Sequence, residues 1–115
     1  MLRGVNEKDW KLFRARVPDW QEAYMEKLVE EYKALLNGNE QASDLFWALW
    51  NRLNRDKRSP GVMLENLSRS TMRMNLLLLL RHEIITIRDL DGFSEELRED
   101  LNHVVENMPL EQDEN

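Results

Sequence analysis

No cysteine occurs anywhere in the chain, which excludes a disulfide scaffold, a thiol nucleophile, a zinc ribbon and an iron–sulfur cluster. A chain without disulfides fits a reducing cytoplasm. Only four glycines and three prolines punctuate its 115 residues, too few for a loop-rich or low-complexity protein. Period-two alternation is lacking as well. "IITI", Ile84 to Ile87, is the sole strand-like run, and it is short and alone. The leucine run from Leu76 to Leu80 falls far below the roughly 20 apolar residues of a membrane-spanning helix. The opening "MLRGVNEKDW" lacks the apolar stretch of a secretion signal. His82 and His103 come without HExxH or paired spacing, and there is no EF-hand loop, glycine-rich phosphate loop or GxSxG elbow. The expectation is therefore a protein that is not an enzyme, with no catalytic residues, no cofactor, no metal and no membrane insertion.

What is present is enough for one folded unit. A composition of 42% hydrophobic and 33% charged residues is too apolar for intrinsic disorder. The apolar spacing predicts helices throughout. Asn6 suits the N-cap of a first helix to about Arg16, carrying Trp10 and Phe13. Pro18 suits the first turn of a second helix, in which Trp20, Tyr24, Leu28, Tyr32 and Leu35 or Leu36 recur every three or four residues until Asn37 and Gly38. Ser43 would cap a third, "SDLFWALWNRLNRDKR", stopped by Pro60 and Gly61. A fourth starts between Leu64 and Ser70 and runs to about His82. Thr86 and Asp89 have capping-box spacing before Gly92, and Ser94 caps a last helix with Glu95 and Glu96 in its first turn. The predicted fold is all-α: a compact single-domain bundle of five to six helices over residues 1–108, with a frayed acidic tail at 109–115.

At 100° per residue, five successive leucines point all round a helix, so this one should be a buried central helix. Each leucine contributes about 1.5 to 3 kcal/mol if fully covered. A side left uncovered would mark where a second copy of the chain packs. In "FWALW", Leu45 or Phe46, Leu49 and Leu53 form the natural core stripe, with Trp47 and Trp50 on its margin. Large aromatics are usually buried, so core is the first expectation for both tryptophans. Whichever is left exposed is the candidate protein interface.

Charge is unevenly distributed: residues 1–50 carry a net −2, residues 51–82 a net +5 and residues 83–115 a net −9. The basic middle holds Arg52, Arg55, Lys57, Arg58, Arg69 and Arg73, a candidate anion or phosphate patch near "RDKRSPG" and "SRS". The plainer reading is that these cations face acidic partners or solvent. A total of −6 disfavours broad nucleic-acid affinity while leaving room for a local patch. "DLDGFSEEL" looks like the turn of a helix-turn-helix. The helix after it carries Glu95, Glu96, Glu99, Asp100 and Glu106 against Arg98 alone, which would set net negative charge against phosphate.

"DWKLF", "WQEAYMEKL", "FWAL", "PGV" followed by "SRS", and "DLDGFSEEL" together resemble a family of short, all-helical bacterial proteins of unknown function, from about Glu7 to Asn107. The resemblance implies that Trp20, Tyr24, Phe46, Trp47, Arg69 and Ser70 belong to a shared pattern. It implies no catalytic residues. Some members carry a multidrug-transporter label, which a sequence without a spanning helix does not support. The functional expectation is a small cytoplasmic adaptor-like domain that binds another protein or a second copy of itself. The alternative is a nucleic-acid or phosphate-binding module using residues 52–73.

Overall fold

A computed structural model describes residues 6–107. Four α-helices form among them: α1 (Glu7–Leu36), α2 (Ala42–Asp56), α3 (Met72–Arg81) and α4 (Glu95–Glu106). Short 3₁₀ turns at Arg69–Thr71 and Ile87–Leu90 precede α3 and α4, and no strand forms among the described residues. The predicted acidic tail at 109–115 lies outside them.

The two helices expected on either side of Pro18 are one, of 30 residues and about 45 Å. An interior proline removes the N–H that would bond the carbonyl four residues back, at a cost of about 3 kcal/mol. Here Pro18 and Arg14 are both on the exposed side of α1, where water can serve that carbonyl. Apolar anchors on the opposite side, Trp10, Phe13 and Val17 before the proline and Leu28 after it, hold the helix continuous. The helix count is accordingly four, not five to six. Ser43 is not the cap of α2 either. The helix begins two residues earlier, behind Gln41, and Asp44 occupies the first turn where the dipole favours it.

The other local signals fold as their chemistry dictates. Asn6 Oδ1 accepts from the N–H groups of Lys8 and Asp9, and Ser94 Oγ accepts from Leu97 N–H. Thr86 and Asp89 form the capping box. α3 ends in a Schellman arrangement with Ile84 N–H on Leu79 O and Glu83 N–H on Leu80 O, which places Glu83 at φ 59°. Gly92 has φ +96° and lies where a Cβ would meet Arg16 at 3.0 Å and Leu12 at 3.2 Å. That leaves the position to glycine.

The core sits at one end of the molecule. Trp10, Phe13 and Val17 of α1 pack with the leucines of α3, with Ile85, Leu90 and Phe93, and with Leu97 and Leu101 of α4. Leu76, Leu77, Leu79 and Leu80 are buried, and Leu78 is half-buried beside the exposed Met74. One copy of the chain thus covers four of the five leucines. Asp9, itself buried, joins α1 to the start of α4: its carboxylate accepts from Ser94 N–H at 2.8 Å and Ser94 Oγ–H at 2.6 Å. Arg16 adds a second tie by donating to the carbonyls of Asp89 and Asp91. Beyond this head, the second half of α1 and the antiparallel α2 extend as a hairpin. The molecule measures 56 × 28 × 22 Å, so the hairpin is an arm.

Candidate interaction face of the α1–α2 hairpin

α2 is helical by length and composition, yet Asp56 is its only buried residue. The face turned to α1 carries Leu45, Leu49, Arg52 and Asp56, four positions that recur at helical spacing and are buried or half-buried. Polar contacts fix this seam. Tyr32 Oη donates to Asp56 Oδ2 at 2.6 Å. Arg52 reaches Glu31 at 2.6 Å and Asp56 at 3.4 Å, and its guanidinium lies over the Tyr32 ring at 5.4 Å. Burial, then the bond to Asp56, pushes the Tyr32 phenol up to about 12. At the base of the arm the Tyr24 ring fills the space above Gly61, where a Cβ would come within 2.4 Å, and Gln21 Nε2 donates to Pro60 O.

The core stripe expected on α2 is therefore displaced. Phe46 and Leu53 face solvent, 63% and 44% exposed, together with Trp47 at 57% and Trp50 at 52%. An apolar arc this wide cannot all meet one partner helix, and α1 takes the edge on which Arg52 and Asp56 find carboxylate and phenol partners. The first expectation for both tryptophans, core burial, gives way to exposure. Phe46 and Trp47 touch only each other among the ring contacts, edge to face at 5.1 Å.

The flank of α1 completes the surface. At 100° per residue, Met25, Val29 and Leu36 lie about 60–100° round α1 from Leu28, which faces the seam. Phe46, Trp50 and Leu53 lie about 60–120° round α2 from its own seam line, in the same rotational sense. Because the helices are antiparallel, equal rotation carries both stripes to the same side of the hairpin. Val29 and Leu36 are 46% and 47% exposed. Glu22, Glu26 and Glu30 border Met25 and Val29 along a shallow groove on α1. Sequence periodicity could not find this half of the surface, because it exists only once the hairpin is paired.

The basic segment is largely spoken for. Arg69 makes a two-point pair with Glu7, at 2.7 and 3.1 Å, and lies over Trp10. Arg73 grips Asp100 through Nε and Nη2, which holds the Asp100 carboxyl below its ordinary range against the opposing effect of burial. Arg52 is held by Glu31 and Asp56, and Arg55 meets Asp56 at 3.2 Å. Lys57 and Arg58 make no ion pair among the described residues. They border a cleft of about 670 Å³ between the loop after α2 and α3, lined also by Met63, Met74, Leu78 and His82. The structure does not bring the six cations to one place.

Among the described residues no group of acidic or histidine side chains is placed to hold a metal ion, and no helix is long and apolar enough to cross a membrane. The carboxyls whose acidity is displaced, Glu7 and Asp100, owe it first to hydrogen bonds from Arg69 and Arg73. No family model, curated protein or solved structure matches the chain.

Proposed function

We propose that this is a small helical protein-interaction domain of adaptor or regulatory type, without enzymatic activity and working in the cytoplasm, whose binding surface is the apolar side of the α1–α2 hairpin. The observation that carries the reading is the exposure of Phe46, Trp47, Trp50 and Leu53 on one helix, next to Val29 and Leu36 on the other. These six side chains leave about 600 Å² of apolar surface in water, at the upper end of what a monomer's largest patch presents. Tryptophan and phenylalanine at the centre of such a patch are the residue types that anchor interfaces.

The resemblance to short bacterial helical proteins belongs to the same proposal, and the contacts divide its shared pattern in two. Trp20 stacks on Phe93 at 6.4 Å, Tyr24 covers Gly61 and Arg69 holds Glu7, so these three build the fold. Ser70 shares a hydrogen bond with Ser68 ahead of α3, while Phe46 and Trp47 are mostly exposed and meet each other edge to face, which supports binding as their role. A phosphate-binding reading would have to break the carboxylate pairs of Arg52, Arg55, Arg69 and Arg73. The two remaining cations, Lys57 and Arg58, are fewer than the roughly 6–10 phosphate contacts of a nucleic-acid binder.

The test is the double substitution Trp47→Glu and Trp50→Glu. Both sites are exposed, so helix content should change little, while association with any protein, a second copy included, falls below detection. Association at wild-type strength in the double variant would overturn the reading.

A further inference from the structure

The geometry points to a second copy of this chain as the occupant of the hairpin face, packed about a twofold axis that runs along the arms and completes a four-helix bundle with both tips at the same end. This inference rests on the reading of that face as the binding surface and names what covers it.

Area is the first argument. Two copies meeting through the five exposed side chains on this side of each hairpin, Val29, Leu36, Phe46, Trp50 and Leu53, would bury about 1,000 Å², the size a specific interface must clear, before any polar rim is added. The hairpin also gains buried core when covered. Leu28 is its only fully buried apolar residue beyond the head, so two helices share a seam that is mostly half-buried and polar. Helix pairs of this kind are stable when a second pair closes a core between them. A twofold interface is self-complementary, and the face supplies both halves of each contact: Leu36 of α1 at the level of Trp50 and Leu53 of α2 in the second copy, with Val29 about one turn beyond Leu53 towards the head.

Charge selects the orientation. With tips together, α1 of one copy faces α2 of the other, and each helix runs antiparallel to both neighbours. The contacts Glu31–Arg52, Tyr32–Asp56 and Tyr24–Gly61 set the level of α2 against α1 and place Lys57 beside the stretch from Glu26 to Glu30. In the dimer that level is kept across the axis. Glu26 on the border of one α1 then meets the unpaired Lys57 and Arg58 of the second copy, twice per dimer, beside Glu30, which holds Lys33 at 3.1 Å. With tips at opposite ends, α1 would face α1 and set the Glu22–Glu30 border against itself. The head packs on the side of α1 that carries Phe13, Trp20 and Arg16, turned away from this face, so two heads fit side by side.

Sedimentation equilibrium of the full chain tests the proposal. The expected mass is twice 13.8 kDa at micromolar concentration. Trp50→Glu should weaken association about thirtyfold or more, as loss of a central aromatic anchor does, with circular dichroism unchanged. Glu26→Lys should weaken it about fivefold through the two rim pairs, and Glu26→Lys combined with Lys57→Glu should restore it. A monomer at all concentrations, or no restoration by the charge exchange, overturns the tip-together dimer. A monomeric wild-type chain that binds a different protein in a Trp50-dependent way would overturn the dimer while leaving the interaction face standing.

Discussion

Asp56 is withdrawn from water to 6% exposure and receives the Tyr32 hydroxyl, Arg52 and Arg55, so each side chain of the cluster depends on the register of the two helices. A buried carboxylate is costly unless such partners are in place, which makes the cluster a device for specifying how α2 pairs with α1 more than a source of net stability. Tyr32 carries the pH signature of that pairing. Its phenol is raised from the ordinary value of 10.0 to about 12, so the folded chain prefers the neutral form. The stabilisation is complete below pH 10 and is lost as pH rises through about 12. Ultraviolet titration should show one tyrosine ionising late, in step with loosening of the hairpin, and Tyr32→Phe should abolish that step. Ionisation of Tyr32 near the ordinary value of 10.0, with the hairpin intact, would contradict the cluster.

At the scale of the element, the sequence signals that fold as expected are those whose physics is local. Asn6, Ser94 and the Thr86–Asp89 box need only their own turn to be satisfied. Pro18 misleads because its effect is decided by tertiary burial on both sides of it. Trp10, Phe13 and Val17 on one side and Leu28 on the other outweigh the missing bond. On α2 the apolar residues fill too wide an arc for periodicity to choose an inner edge, and the choice falls to Arg52 and Asp56, whose partners are on another helix. The exposed tryptophans were legible as marginal residues, whereas the exposure of Val29 and Leu36 beside them was not. Since Pro18 is exposed and its helix continuous, Pro18→Ala should return a backbone bond to Arg14 and stabilise the protein by about 1 to 3 kcal/mol in urea titration. A destabilising effect would mean that the bend or rigidity of proline is itself used.

At the scale of the molecule, the buried core and the exposed aromatic surface are divided between two ends. The head holds the leucines, the buried Asp9–Ser94 tie and almost all of the fully buried side chains. The arm holds the aromatic surface and very little core. Such a division predicts uneven opening: the arm exchanges amide protons through low-energy fluctuations, and the head only through global unfolding. Covering the face would change the first and leave the second, and with a second copy as the proposed occupant the change would follow concentration. Hydrogen–deuterium exchange read by mass spectrometry, on the same chain at dilute and at concentrated protein, is the most direct measurement. The account predicts that exchange across residues 42–56 and 25–36 slows as concentration rises while exchange in α3 stays constant. Arm exchange that is independent of concentration would contradict it.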